Sequence, residues 1–434
     1  MARELFGTDG VRGEAGTRLT AELALSLGRA ATEQAGGEGR RVLIIRDTRE
    51  SGEMLEAALA AGISAAGGEV LLGGVLPTPA APLLIRQYGL DLGVVVSASH
   101  NPYRDNGIKF FGADSLKLSD TTEEEIEARI AAPGPPPEAP GRIREFHGTG
   151  EDYLRALEER FSELDLSGMD IVLDCANGAA HRVAPEIFRR LGADVTVIGA
   201  EPDGRNINAG VGSTHVDSLA EAVIAGGHTL GFAFDGDADR VLAVDGAGQV
   251  VDGDELIALV AVHLRSQDRL GGGVAVTVMT NYGFHTAMRE AGIDVAVTDV
   301  GDRYVLEALL ERGWNLGGEQ SGHIIDTGFV PSGDGIASAL LTLEALGGEE
   351  LAGGSAMTRL PQKLVNVKVA DKATALAAVE EPAVREGEAL EGRGRVLVRA
   401  SGTEELVRVM VEAPEEDECQ AVCDRLVAVV ESAS

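Results

Sequence analysis

Lysine and the aromatic residues are the scarce components of this sequence. Its 434 residues include only five lysines, ten Phe, five Tyr and one Trp, whereas 70 acidic residues face 37 basic ones and give a formal net charge of −33. Such a charge repels nucleic acids and anionic membranes, so neither is an expected partner. Concentrated salt screens acidic self-repulsion, because the Debye length falls to about 3 Å at 1 M. We therefore expect a halophilic protein, with a merely acidic mesophilic protein as the alternative.

Cysteines and long apolar runs are also missing. Cys175, Cys419 and Cys423 are too few for a disulfide framework, and no second pair of cysteines or histidines accompanies the last two to form a zinc site. No stretch approaches the roughly 18 apolar residues of a membrane span. The first six residues lack the apolar core of a signal peptide. These absences predict a cytoplasmic protein that does not enter a membrane.

Three apolar segments, each followed by polar residues and a helical pattern, recur at intervals of roughly a hundred residues. They are residues 42–45, 171–173 and 274–278. Short β-branched runs that alternate with helices are typical of α/β units with buried sheets. A different, alternating pattern begins at Leu364 and indicates a smaller α+β domain. The predicted fold class is therefore α/β, with three related α/β domains and a smaller C-terminal α+β domain.

The domain boundaries are predicted from breaks in these patterns. The proline-rich segment 133–140 cannot continue a helix and is typical of a linker. Further breaks near Gly253 and Pro361 complete the division. The expected domains are domain I at 1–150, domain II at 151–253, domain III at 254–360 and domain IV at 361–434. Nucleotide binding has no support, because the sequence has neither a dinucleotide fingerprint nor a P-loop.

The first of four chemically suggestive loops follows the apolar strand 94–96. A serine at the end of a buried strand is a candidate nucleophile, which makes Ser99 the first choice and Ser97 the next. His100 is the residue that could tune the Ser99 hydroxyl. Serine, asparagine and proline also populate turns for backbone reasons alone, so this loop by itself leaves both interpretations open.

The second loop has three aspartates at alternate positions, Asp235, Asp237 and Asp239, between two apolar strands. Three carboxylates held between buried strands repel one another unless a cation offsets them. An EF-hand is excluded, because its sixth and twelfth positions would be Arg240 and Gly246 rather than Gly and Glu. The loop predicts one Mg²⁺ per chain, the metal usually recruited for phosphate chemistry.

The third loop spans residues 317–323. Its glycines allow a ligand to approach the backbone closely, and Glu319 and Ser321 can bind sugar hydroxyls. His323 is a candidate general base. A tight turn with a solvated glutamate is the alternative for this loop taken alone.

The fourth loop follows the strand 396–398. Ser401, Gly402 and Thr403 present hydroxyls and backbone amides, and Arg399 and Arg408 add bidentate donors, which together would form a phosphate cradle. A capping turn remains an equal alternative. The four loops together contain the parts of a site for phosphoryl transfer to a sugar phosphate.

In this order and spacing, the four loops and the segment Phe6–Gly13 resemble the α-D-phosphohexomutases over nearly the whole chain. The resemblance implies that Ser99 carries a phosphoryl group and, with the three aspartates, holds Mg²⁺. It also implies four domains around a central cleft. By the same resemblance, the phosphoserine is flanked by Arg12, Lys109 and Arg240.

The expected partners are a hexose phosphate and its 1,6-bisphosphate, bound by a monomer or a homodimer. Residues 300–305 and 319–323 resemble the branch of the family that acts on glucosamine 6-phosphate, with phosphomannomutase and phosphoglucomutase as the alternative. Two other classes remain open. A metal-dependent sugar phosphatase could use the same acidic residues, and a non-catalytic sugar-phosphate sensor could keep the fourth loop.

Overall fold

A computed structural model describes residues 4–7, 9–352, 356–401 and 405–433. These residues form four β-sheets and the helices that accompany them. The chain divides into two compact units, of which the first contains Met1–Val278 and Ala296–Gly353 and the second contains Met279–Val295 and Gly354–Ser434. No helix within the described ranges combines the length and apolarity needed to cross a membrane.

The first sheet has six strands in the order β1-β5-β4-β2-β3-β6. Its strands are β1 (Val11–Glu14), β2 (Arg41–Arg46), β3 (Glu69–Val75), β4 (Leu92–Val96), β5 (Asp105–Gly112) and β6 (Ile143–Glu145). The helices of this region are α1 (Ala21–Gln34), α2 (Gly52–Ala65), α3 (Ala80–Tyr88) and α4 (Asp120–Ala131). Strand β4 is buried at every position, as its valine run predicts. It runs antiparallel to β5, where Val95 lies opposite Lys109. Residues 97–104, here called the serine loop, connect these two neighbouring strands.

The second sheet has the order β11-β10-β9-β7-β8. Its strands are β7 (Asp170–Asp174), β8 (Asp194–Ile198), β9 (Leu230–Phe234), β10 (Val241–Asp245) and β11 (Val250–Val251), with helices α5 (Thr149–Arg160), α6 (Ala180–Arg190) and α7 (Asp217–Gly226). Strands β9 and β10 form an antiparallel hairpin, in which Phe234 and Val241 are the last pair before the turn. Residues 235–240, here called the aspartate loop, form the turn of this hairpin. The strand that precedes them, β9, is buried at every position.

The third sheet has the order β13-β12-β14-β15. Its strands are β12 (Gly273–Thr277), β13 (Asp294–Thr298), β14 (Leu316–Gly318) and β15 (Ile324–Asp326). The helices in this part of the chain are α8 (Gly253–Ser266), α9 (Tyr282–Ala291), α10 (Asp302–Arg312) and α11 (Gly335–Leu346). Gly318 pairs with Ile324, so residues 319–323 connect two antiparallel strands.

The last sheet is a three-stranded antiparallel sheet in the order β16-β18-β17. It consists of β16 (Gln362–Lys368), β17 (Arg395–Ala400) and β18 (Leu406–Glu412), with helices α12 (Lys372–Ala389) and α13 (Glu416–Ser432). Alternate residues of β18, including Val407, Val409 and Val411, enter the core formed with the two helices. The predicted fold class, three α/β domains and a smaller α+β domain, is confirmed. The boundaries near residues 150, 253 and 360 stay predictions.

Candidate active site

Ser99 occupies the turn that follows β4. Its side chain is buried, and its φ of 51° is left-handed, a region that non-glycine residues seldom adopt. Its Oγ donates to Asp235 Oδ2 at 2.5 Å and lies 3.3 Å from His100 Nδ1, while its backbone N–H donates to Ser97 Oγ at 2.9 Å. The turn therefore directs the predicted nucleophile to the aspartate loop of the second sheet.

The aspartate loop brings its three carboxylates together as predicted. Asp235, Asp237 and Asp239 are all buried, and one oxygen from each lies within 4.8 Å of the others. The buried ammonium of Lys109 faces two of them, at 3.0 Å from Asp237 Oδ2 and 3.4 Å from Asp239 Oδ2. This contact offsets part of the charge that burial would otherwise disfavour.

The three carboxylates differ in how well their charge is compensated. Burial, followed by the charges of Asp239 and Asp237, raises the pKa of Asp235 well above its usual range. Burial acts in the same direction on Asp237, but the charge of Lys109 and the hydroxyl of Thr78 outweigh it, so that the pKa of Asp237 is lowered. The Oδ1 atoms of Asp237 and Asp239 are buried and lack a hydrogen-bond partner among the described residues. Buried acceptors of this kind fit a hard cation with oxygen ligands.

Basic side chains lie around the serine and the carboxylates. Arg12, on β1, forms an ion pair with Asp9, and Arg240 follows the aspartate loop directly. Within the described part of the chain, the Nε atoms of Arg12 and Arg240 are buried without a hydrogen-bond partner. Burial, followed by the charges of Arg240 and Arg12, lowers the pKa of His100. Arg12 and Arg240 therefore place positive charge beside the serine loop, where a phosphoryl group on Ser99 would need it.

The third loop contributes two of its three predicted residues to the same region. Glu319 Oε1 accepts a hydrogen bond from Gly301 N at 3.1 Å, and His323 Nε2 lies 3.9 Å from Asp239 Oδ2. His323 is buried, and its Nδ1 has no hydrogen-bond partner among the described residues. Ser321 is exposed and does not line the cavity described below, so its substrate-binding role stays a prediction.

A cavity of about 1230 Å³ lies in the first unit and is large enough for a sugar phosphate. Six of the predicted site residues line it: Arg12, Ser99, Asp239, Arg240, Glu319 and His323. Lys109, Asp235 and Asp237 are buried and are not lining residues. The first three predicted loops therefore lie around one cavity, although each connects strands of a different sheet.

Two lysines and two further aspartates complete the charge network: Lys109, Lys117, Asp9 and Asp302. Of these four residues, Lys109 alone was given a role from the sequence. Lys109 Nζ lies 3.1 Å from Asp9 Oδ2, and Lys117 Nζ lies 2.5 Å from Asp9 Oδ1 and also pairs with Asp302. Burial would raise the pKa of Asp9, but the charges of Lys109, Lys117 and Arg12 hold it well below its usual range. The scarcity of lysine was a signal in the sequence that could have pointed to this network, because two of the five lysines, Lys109 and Lys117, belong to it.

The fourth predicted loop belongs to the second unit. Arg399 on β17 pairs in register with Arg408 on β18, so the two side chains share one end of the sheet. Arg408 Nε is buried and finds no hydrogen-bond partner in the described residues. Ser401 is buried, and its N–H donates to Leu406 O at 2.9 Å. Gly402 and Thr403 lie outside the described residues.

Comparison with known proteins agrees with these observations. Four models of the phosphoglucomutase/phosphomannomutase family match the chain: alpha/beta/alpha domain I at residues 3–135, domain II at 151–248, domain III at 252–364 and the C-terminal domain at 364–429. Phosphoglucosamine mutase of Moorella thermoacetica is 51% identical, with 96% of this chain and 97% of the relative covered. Phosphoglucosamine mutase of Mycolicibacterium paratuberculosis is also 51% identical, with 99% of each covered.

A solved structure supports the fold independently. The crystal structure of a phosphoglucomutase/phosphomannomutase family protein from Burkholderia thailandensis superposes with a TM-score of 0.84, covering 99% of this chain and 97% of that chain at 24% identity. Fold, domain content and full-length sequence relatives therefore agree. The chain belongs to the phosphoglucomutase/phosphomannomutase family, in the branch formed by the phosphoglucosamine mutases.

Proposed function

We propose that this chain interconverts glucosamine 6-phosphate and glucosamine 1-phosphate through a phosphoserine at Ser99 and a 1,6-bisphosphate intermediate. As a family member, the chain is an enzyme of the isomerase class. The observation that carries the mechanism is the Ser99 hydroxyl, which lies 2.5 Å from Asp235 on the wall of a large cavity. The full-length relatives favour glucosamine phosphate over the phosphomannomutase and phosphoglucomutase alternatives.

The proposed reaction is two phosphoryl transfers in opposite directions. In the first, the free hydroxyl of the sugar phosphate attacks phosphorus, the bond between phosphorus and Ser99 Oγ breaks, and a 1,6-bisphosphate forms. The hydroxyl proton passes to His323, and Ser99 Oγ, on the cavity wall, takes up a proton from solvent as it leaves. After the bisphosphate turns over, Ser99 Oγ attacks its other phosphoryl group, and the protons move in the reverse sense. The phosphoserine is restored, and the sugar keeps the phosphate first donated.

Asp235, Asp237 and Asp239, together with the phosphoryl group on Ser99, would hold one Mg²⁺ ion. Their fit to a cation rests on the buried Oδ1 atoms of Asp237 and Asp239, which have no hydrogen-bond partner among the residues that the structure describes. When bound, Mg²⁺ neutralises charge on the transferring phosphoryl group. Lys109, Arg12 and Arg240 add positive charge around the same group. Glu319 and Ser321 are assigned to sugar hydroxyls.

The fourth loop is assigned to binding a phosphate group of the substrate. This assignment rests on two observations. Arg399 and Arg408 are opposite each other on neighbouring strands, and the buried Nε of Arg408 has no hydrogen-bond partner among the described residues. A guanidinium without a protein partner can donate two parallel hydrogen bonds to phosphate oxygens. Ser401, Gly402 and Thr403 would supply further donors from the turn. The oligomeric state, monomer or homodimer, stays a prediction.

Glucosamine 6-phosphate is expected to be the best substrate, with kcat/KM about tenfold above that for glucose or mannose 6-phosphate, equivalent to about 1.4 kcal/mol of transition-state stabilisation. The protonated amino group of this sugar is attracted by acidic lining residues such as Glu319 and Asp302. One enzyme preparation, activated with glucose 1,6-bisphosphate, should be assayed on all three sugars. A tenfold preference for glucose or mannose phosphate would reverse the assignment of the sugar and leave the phosphoserine mechanism unchanged.

The same assay separates the alternatives of other classes. A phosphatase would release inorganic phosphate in proportion to the substrate consumed and would need no bisphosphate activator. A sensor would bind the sugar phosphate without turnover. The mutase instead conserves phosphate ester throughout the reaction, which phosphorus NMR measures directly.

We also infer that the protein requires salt, on the basis of its net charge of −33 and its five lysines. The Debye length is about 30 Å at 0.01 M salt and about 3 Å at 1 M, so dilution exposes most acidic pairs to one another. We expect the melting temperature to rise by about 10 °C or more between roughly 0.05 and 3 M KCl. Thermal unfolding across that range, repeated with NaCl, measures the effect. A flat profile would contradict the halophilic interpretation.

A further inference from the structure

Arg49, which follows β2, is the largest fully buried side chain of the described residues. Its guanidinium is directed at the backbone of the serine loop. Nη2 donates to Ser99 O and to Asn101 O, both at 2.8 Å, and Nη1 donates to Pro102 O at 2.5 Å and to Asp105 O at 2.9 Å. Its Nε donates to Asp47 Oδ2 at 2.9 Å, which neutralises the buried charge. One side chain thus binds three carbonyl oxygens of the serine loop and the carbonyl of Asp105, the first residue of β5.

A second donor to the same loop comes from the part of the chain that forms the second sheet. Asn208, in the segment between β8 and α7, is buried and donates from Nδ2 to Ser99 O at 2.9 Å and to Asn101 O at 3.1 Å. Gly236 of the aspartate loop packs against the same carbonyl, since a Cβ at that position would lie 2.6 Å from Ser99 O. The two carbonyls that Asn208 binds are also bound by Arg49. We call Arg49 and Asn208 together the carbonyl clamp.

The clamp explains how Ser99 keeps a left-handed backbone. A φ of 51° is unfavourable for serine, and such a conformation persists only where the surroundings hold it. The carbonyl clamp acts on the C-terminal side of Ser99. On the N-terminal side, the backbone N–H of Ser99 donates to Ser97 Oγ, and Ser97 Oγ donates to Asp47 Oδ2 at 2.6 Å. These groups are buried, so water cannot readily replace a lost donor.

We propose that Arg49 and Asn208 are positioning residues for phosphoryl transfer, which fix the Ser99 carbonyl and thereby the direction of Oγ. The inference rests on the proposed role of Ser99 as phosphate carrier. Neither side chain lines the cavity, so neither is expected to contribute to substrate binding. Their loss should therefore lower kcat and leave KM nearly unchanged, because a small displacement of a reacting atom slows chemistry more than binding.

The central experiment compares two asparagine-to-glycine variants. Asn208 and Asn177 both have left-handed backbones, with φ of 57° and 49°, so glycine fits both positions without new strain. Asn177 also makes side-chain hydrogen bonds in this region, to Asn206 O and from Glu201 N, but it makes none with the serine loop. We expect Asn208→Gly to lower kcat by about tenfold or more with KM changed less than about twofold, and Asn177→Gly to keep the wild-type kcat.

Arg49→Lys provides the second arm. Lysine keeps a positive charge beside Asp47 but lacks the planar fork that reaches four carbonyls, so we expect a larger loss of kcat than in Asn208→Gly. If this variant does not fold, the asparagine pair decides the question. Melting temperature and intact-mass measurement of the phosphate on Ser99 accompany each kinetic assay.

Two results would overturn the proposal. One is a phosphorylated wild-type enzyme whose Asn208→Gly variant matches Asn177→Gly in kcat. The other is a loss in Asn208→Gly that appears in KM rather than in kcat. A wild-type protein that turns over the sugar without phosphate on Ser99 would instead refute the proposed function, and the role of the clamp with it.

Discussion

Ser99→Ala is expected to lower mutase kcat by about four orders of magnitude or more, as removal of a covalent nucleophile does in other enzymes. The variant lacks the side-chain oxygen that the turn after β4 directs at Asp235. Folding should be retained, because the change removes one hydroxyl and adds no volume to the core, so the melting temperature stays within a few degrees. Intact-protein mass spectrometry should find a phosphate adduct on the wild type and none on the variant.

Ser338→Ala is the matched control. Ser338 is also buried, but it lies on α11 and its Oγ donates only weakly, to Ile324 O at 3.4 Å. That variant should keep wild-type turnover and phosphate content. If Ser99→Ala retains turnover within about tenfold, or if the phosphate maps to Ser97, the carrier has been misassigned.

The double variant Asp235→Asn/Asp237→Asn is expected to lose Mg²⁺ binding, with an affinity decrease of more than about 100-fold. A bound cation stabilises the folded state by about 2.7 kcal/mol at 100 times its Kd, so Mg²⁺ should raise the melting temperature of the wild type but not of this variant. Turnover should fall in parallel. Isothermal titration calorimetry and thermal unfolding with and without Mg²⁺ measure the effect without relying on activity.

Asp245→Asn is the control for this variant. Asp245 is also buried, ends β10 in the same sheet, and its Oδ1 accepts hydrogen bonds from Ala247 N and Gln249 N, which an asparagine oxygen can also accept. It should bind Mg²⁺ like the wild type. Equal Mg²⁺ affinity in the wild type and the double variant would place the metal site elsewhere.

The structure also changes the expectation for the metal-free protein. From the sequence, Asp237→Asn is expected to relieve repulsion among the three carboxylates and to stabilise the metal-free protein. The lowered pKa of Asp237, however, indicates that its carboxylate is stabilised by Lys109 and Thr78 against the effect of burial, and its loss should destabilise the folded state at neutral pH. Relief is expected instead from Asp235→Asn, because burial and the neighbouring charges raise the pKa of Asp235.

Local patterns in the sequence were enough to predict the fold class and to locate the three loops that the structure brings together at one cavity. The valine and isoleucine runs at 42–45, 171–173 and 274–278 correspond to β2, β7 and β12. Short β-branched runs are typical of buried parallel strands, whatever their long-range partners. The loops were found for the same reason, since each follows a strand that the composition identifies.

The remaining parts of the site depend on contacts that no local pattern encodes. Lys109 and Asp9 are a hundred residues apart, and only the pairing of β1 with β5 brings their segments together. Arg49 stands in an ordinary polar stretch after β2, and nothing in that stretch distinguishes a buried guanidinium from an exposed one. Ser321 was assigned to sugar hydroxyls together with Glu319 because both side chains can hydrogen-bond a sugar and both stand in the loop 317–323. The turn containing Gly322, with its φ of 87°, leaves Ser321 exposed.

The left-handed φ of Ser99 also limits which amino acid evolution can place there. Threonine carries a hydroxyl of similar chemistry, and a point mutation can exchange the two residues. A β-branched side chain at positive φ is a genuine outlier, however, because its extra methyl group crowds the backbone. A lineage could therefore not drift from serine to threonine at this position without first rebuilding the turn that Arg49 and Asn208 hold.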